Sequence, residues 1–151
     1  MSYSYKNNTE QVLSAMEKAV ERGLEAIGLE AEGYAKEVLT EAVYTMGRDE
    51  AKNYQLTGRL RNSITWALSG EEADTKSYEY EVDGQTKTAE YRGSAPSDKK
   101  KSVYIGTNVE YAAGIELGTH RKAGAVHFLQ KAATEHGDKY KRLMEDSMKN
   151  A

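Results

Sequence analysis

Apolar residues recur at helical spacing along the first third of this chain: Val12, Met16, Ala19, Val20, Leu24, Ile27, Ala31, Tyr34, Ala35, Val38, Leu39, Ala42, Val43 and Met46. Asn7 followed by Glu10 offers a capping pair at the start. A continuous helix here would run roughly 35–40 residues, or about 55–60 Å at about 1.5 Å per residue. That exceeds the expected width of a 151-residue domain. The helix must therefore project from the body or bend. Gly23, Gly28 and Gly33 weaken its centre, and Gly28 is the expected break.

The length suits a single domain with a real core. With 38% hydrophobic and 30% charged residues, the chain is polar for a compact monomer. Such a chain often completes its burial against neighbouring subunits. There is no cysteine, so disulfides and thiolate metal sites are excluded. Met1 to Asn8 lacks the apolar centre of a signal peptide, and no apolar run approaches the ~20 residues of a membrane span. The expected location is a cytoplasm-like compartment or the inside of a particle. Charge is uneven: residues 1–50 hold 5 Lys/Arg and 10 Asp/Glu, a balance of -5 against -3 for the whole chain. An acidic helix face is expected, either simply solvated or paired head to tail with a neighbour. Tyrosine numbers 11, against one Phe and one Trp, and its apolar ring and polar hydroxyl suit half-exposed strands and subunit interfaces alike.

Beyond the helix, the pattern changes. Thr57 to Asn62 reads as a helical turn, and Ile64, Trp66 and Leu68 alternate as a strand, with Trp66 expected to be buried between sheet and helix. Ser77 to Val82 alternates into Asp83-Gly84, a hairpin turn, and Gln85 to Tyr91 returns. Gly93 to Ser102, with Pro96, reads as a mobile loop. Val103 to Thr107 is a further strand, and Glu110 to Leu117 a short helix stopped by Gly118. Ala125 to Lys149 is expected as one helix with Gly137 as its weak point. The fold class is α+β: a long N-terminal helix, a small antiparallel sheet with a hairpin, and a C-terminal helix packed on one face. Within one domain, residues 1–47 form a helical arm, 57–124 the sheet and 125–149 the last helix.

Chemistry-bearing constellations are few. His127 and His136 lie nine residues apart, which is not an i, i+4 metal pair. His120 sits beside Arg121 and Lys122, where a cation is repelled. His127 reads as a helix-start residue near the sheet and His136 as a surface residue. Glu71, Glu72 and Asp74, and Glu79 with Glu81, fall in or beside the hairpin and read as solvated clusters rather than a glycosidase pair. Ser63, Ser94 and Ser97 lack a nucleophile-elbow context. Gly106 and Gly118 are isolated turn residues, not a phosphate loop. Lys99-Lys100-Lys101 and His120-Arg121-Lys122 can touch a polyanion, but two short clusters give weak, salt-sensitive binding.

Thr57-Gly58-Arg59-Leu60-Arg61-Asn62-Ser63-Ile64 resembles a T-G-R-L-x-x-S-I stretch, and Tyr111-Ala112 with Glu116-Leu117-Gly118-Thr119 resembles a Y-A…E-x-G-T signature. Phe128-Leu129 with Ala132 is similar to a P-F-L-x-x-A helix start. These motifs together resemble the HK-type gp-ten family of tailed-phage tail-component, tail-completion and head–tail joining proteins. The resemblance covers about Thr57 to Ala133. Two departures bear on local turn shape: Tyr54-Gln55-Leu56 and His127 stand where the family often has proline.

The resemblance implies a structural virion protein of the phage neck, without enzyme activity or cofactor. It implies a homo-oligomeric ring, a hexamer being favoured, between head-completion or connector proteins and tail terminator or tail-tube proteins. Brief contact with genomic DNA would fall to the basic loops, and no membrane is involved. Ring closure needs heterologous contacts, so different faces of each subunit should meet. The motif residues also have scaffold roles by themselves. Gly58 turns the chain into the sheet, Arg59 and Arg61 pair with Glu110 or Glu116 or with a neighbour, and Tyr111 and Ile115 pack under the sheet. Gly118-Thr119 ends a helix. The long acidic helix is expected to serve association more than the isolated fold. The alternative reading is a nucleic-acid-binding accessory protein using the two basic loops. A hydrolase with Glu and His partners is the third and weakest.

Overall fold

The computed structural model describes residues 6–44, 59–119 and 124–151. Helix α1 runs unbroken from Thr9 to Leu39 and continues through a π-helical turn, Thr40–Tyr44. After it come α2 (Arg59–Ser63), β1 (Thr65–Leu68), β2 (Lys76–Val82), β3 (Gln85–Tyr91), β4 (Val103–Gly106), α3 (Ala112–Leu117), α4 (Phe128–Thr134) and α5 (Gly137–Lys149). The class is α+β, with the C-terminal helix packed against α1. The expected single sheet is instead two separate two-stranded sheets, β1–β4 and β2–β3, both antiparallel.

Gly28 does not break α1. A Cβ there would lie 2.8 Å from both Trp66 Cδ2 and Val103 Cγ2, so the glycine is a notch into which the β1–β4 sheet settles. Gly23 is a second notch, where a Cβ would lie 2.6 Å from Met144 Sδ. The helical cost of each glycine, about 1 kcal/mol against alanine, is offset by this close approach. Trp66, expected to be buried between sheet and helix, packs on α1 at Gly28 but is only half-buried. In the register Trp66 pairs with Ile105 and Leu68 with Val103, so these four share one face of the sheet.

The core centres where the second half of α1 meets α2, α3 and α4. Leu39, Ile64 and Phe128 are fully buried, with Leu60, Ile115 and Val126 packed around them. From Ala19 onward α1 is thus a core element, which corrects the expectation that it serves association more than the fold. Only residues 9–18 are exposed throughout. The expected last helix is divided between α4 and α5, and Gly137 begins α5 instead of weakening its middle. At the break, His136 is half-buried and stacks on Tyr34 with ring centroids 3.4 Å apart, so it is not the free surface residue expected.

Tyr140 on α5 donates its hydroxyl to the Ala132 carbonyl. Burial, with Tyr34 and Glu30 nearby, pushes its phenol up to about 12. A phenol raised in the folded state contributes stability below its ordinary pKa of about 10 and loses it as pH rises through the folded value. Melting temperature is therefore expected to fall from about pH 10 to about pH 12, and Tyr140→Phe to flatten that slope. An unchanged slope in the variant would assign the alkaline loss to other groups.

Candidate functional site

Three of the motif segments converge on one region of the body. Thr57 and Gly58 lie outside the described residues, and Arg59 opens α2. Arg59 makes a two-pronged ion pair with Glu110, at 3.1 and 3.2 Å, and donates from Nε to the Tyr91 hydroxyl at 3.0 Å. Its guanidinium also sits 5.9 Å from the Tyr80 ring centroid and 5.8 Å from that of Tyr111. One arginine thus ties α2, the hairpin and the entry to α3, in a planar geometry a lysine cannot reproduce. The pairing with Glu110 is as expected. Glu110's own backbone N–H and the guanidinium hold its carboxyl below the ordinary range. Tyr111 is 37% exposed and lies beside Arg59, not packed under a sheet.

Leu60 and Ile64 enter the core, while Ser63 is buried between them. The Ser63 hydroxyl contacts the Leu60 carbonyl at 2.6 Å and the Thr107 hydroxyl at 2.5 Å. Thr107 in turn accepts the Val109 N–H at 3.1 Å. These bonds commit Ser63 to a structural role. Gly106 is no turn residue. It ends β4 opposite Thr65, outside the left-handed region.

The second half of the signature forms a clasp. Ala112 and Ile115 bury one face of α3. Glu116 does not pair with Arg59 or Arg61. Its carboxylate accepts the backbone N–H groups of Leu129, at 2.9 Å, and Gln130, at 3.0 Å, and so caps α4 from another helix. In return Val126 and His127 donate their N–H groups to the carbonyls of Ile115 and Glu116 at 3.0 and 3.2 Å. Gly118 ends α3 with φ +76, and a Cβ there would lie 2.4 Å from Ala125 N. Thr119 is exposed. His127 precedes α4 at φ 54, an angle closed to proline. Glu116→Ala is expected to destabilise by about 1–2 kcal/mol through the lost cap, with Glu116→Gln costing less. Equal melting temperatures for Glu116→Ala and the parent would overturn that assignment.

Of the two basic clusters, only Lys99-Lys100-Lys101 falls within the described residues. His120, Arg121 and Lys122 lie outside the described residues. Lys99 and Lys100 are exposed, but Lys101 reaches Glu21 on α1 at 3.1 Å. Their loop is fastened, contrary to expectation. Ser69 and Gly70 donate to the carbonyls of Ser102 and Pro96, and Ala95 donates to that of Glu71. Asp98 organises the lysine turn. The Lys100 N–H and the Tyr104 and Ser102 hydroxyls all donate to its carboxylate, whose pKa is lowered.

One cluster has no counterpart among the sequence expectations. Glu32 on α1 is 7% exposed and is paired with Lys76 at the base of the hairpin and with Lys36, 3.6 Å away. Lys76 also donates to the Ile64 carbonyl at 2.9 Å. Two signals point to it in the chain: Glu32 stands seven residues before Leu39, and Lys76 shares the alternation of Tyr78 and Tyr80.

A cleft of about 280 Å³ lies between the outer face of the β1–β4 sheet and the end of β3, bounded by Thr65, Ala67, Tyr91 and Tyr104. Among the described residues no group of three or more His, Asp or Glu is placed to hold a metal ion, and no helix is long and apolar enough to cross a membrane. Compared with family profiles, curated proteins and solved structures, the chain matches none.

Proposed function

We propose that this chain is a structural virion protein of the tailed-phage neck, a ring component that joins the head connector to the tail. Its partners are further copies of itself, a hexamer being favoured, with head-completion or connector proteins on one side and tail terminator or tail-tube proteins on the other. Its work is assembly, not catalysis. The observation that carries this reading is the clasp. Glu116, Gly118, Phe128 and Leu129, the residues on which the resemblance rests, lock α3 to α4, while Arg59 and Ser63 lock α2 to the hairpin and to the segment after β4. Arg59, Ser63, Glu116, Gly118 and Phe128 each have a scaffold role, as expected where a signature preserves a shape that neighbours must recognise.

The test is a nonsense mutation in the gene within its phage or prophage, with particles viewed by electron microscopy. DNA-filled heads and separate tails are expected, rejoined when the protein is supplied in trans. Normally joined particles without it would overturn the reading. So would its absence from purified virions by mass spectrometry. Salt-sensitive DNA binding that is lost when Lys99 and Lys100 are replaced by alanine, in a protein that virions lack, would favour the nucleic-acid alternative.

A further inference from the structure

We propose that the first turns of α1 join one copy of this chain to the next. The flank carrying Leu13, Met16 and Glu17 on one copy seats in the groove beside Ala15, Lys18 and Arg22 on another. This deepens the assembly reading above and rests on it only for the expectation that copies meet through unlike faces.

Three observations carry it. First, residues 9–18 are exposed throughout, yet Val12, Leu13 and Met16 are among them, at 54%, 55% and 43% exposure. At about 100° per residue these three fall within one arc of about 100°, and Gly23, buried under α5, lies within it further along the helix. The apolar arc thus begins about two turns before its cover, which starts at Ala19 and Val20. Second, the opposite flank borders a groove of about 550 Å³, with Ala15, Lys18 and Arg22 on the α1 side, Asn150 and Ala151 across from them, and Glu10 among its lining. Leu13 and Ala15 point about 160° apart around the helix, so flank and groove cannot be used by the same neighbour. Third, the two surfaces are complementary. The flank offers two apolar side chains with the Glu17 carboxylate one turn from Leu13. The groove offers a small-residue wall beside two cations, Lys18 and Arg22, against the single carboxylate of Glu10. A second copy of the chain supplies both halves.

The contact is heterologous. Each copy uses its flank on one neighbour and its groove on the other, so the series closes into a ring or continues as a filament. The chain contains no cysteine, which makes introduced pairs unambiguous. The full chain carrying both Leu13→Cys and Ala15→Cys is expected to give, on mild oxidation, a ladder of covalent oligomers beyond the dimer. Either substitution alone should leave monomers. Glu17→Lys in that background should reduce the ladder at least about tenfold, and adding Lys18→Glu should restore it. All these positions are exposed, and circular dichroism checks that each variant keeps its helix.

Absence of a ladder at any protein concentration overturns the proposal. So does quantitative dimerisation of Leu13→Cys alone, which would mean a two-fold contact, or a ladder indifferent to Glu17→Lys. A ladder from a protein whose loss leaves virions normally joined sustains this inference and sinks the neck reading. Unjoined particles together with no ladder do the reverse.

Discussion

Replacing Gly118 by alanine is expected to cost about 3 kcal/mol or more, combining about 1–2 kcal/mol for a left-handed side-chain-bearing residue with the strain of overpacking. The backbone there has φ +76, and a Cβ would meet Ala125 N at 2.4 Å and both Ala125 Cα and Gly124 C at 2.8 Å. These are backbone atoms. They cannot rotate aside as a flexible side chain would. Relief would require moving the segment whose N–H groups reach back to Ile115 and Glu116, and with it the cap on α4. The expected fall in melting temperature is roughly 6–12 °C for a chain of this size. Gly137→Ala is the matched control, because nothing lies within 4 Å of its Cβ and its φ is ordinary. If the two variants melt within a couple of degrees of each other, the clasp is not rigid.

Lys76→Met should be the other large loss, about 2–4 kcal/mol, because it strands a buried carboxylate. Glu32 has a side-chain exposure of only 9%, and Lys76 is its closest partner. The upper end of the range for broken buried pairs is discounted because the Lys76 side chain is 28% exposed and Lys36 remains, 3.6 Å away. Glu32→Leu combined with Lys76→Met should recover most of the loss, since two apolar side chains then replace two desolvated charges. The double-mutant cycle therefore predicts a coupling of about 2 kcal/mol. Additivity within about 0.5 kcal/mol would show that the two side chains act independently, and that the hairpin is held to α1 by packing alone.

The asymmetry between these two positions reflects what each depends on. Gly118 is legible from the chain order alone: a glycine after an apolar helical run, followed by threonine, is a left-handed stop because only glycine adopts that angle without penalty. The hairpin at Asp83-Gly84 is legible for the same reason, and both residues do take positive φ, at 52 and 77. Local backbone sterics act within a few residues, so local sequence reports them. The ion pair of Arg59 with Glu110 is also among the sequence expectations, but as one of several options, because 51 residues separate them and charge alone does not rank partners.

Long-range packing decided the rest. Gly28 reads as a kink because helix propensity sees only the glycine, whereas Trp66 and Val103, brought against it by tertiary folding, turn the same residue into a notch. Glu116 reads as an arginine's partner because both are charged. The four orphan N–H groups of a helix start, which exist only once α4 has formed and docked, draw its carboxylate more strongly. His136 reads as a surface residue until α5 folds back and lays its ring on Tyr34. From its own residues the sequence determined the class of fold, the stops, the hairpin turn and the apolar face of α1, since those follow from periodicity and φ preferences. Which glycine is a notch, which carboxylate is a cap and where a charge is buried came only from the tertiary structure, because each depends on atoms that chain order leaves tens of residues apart.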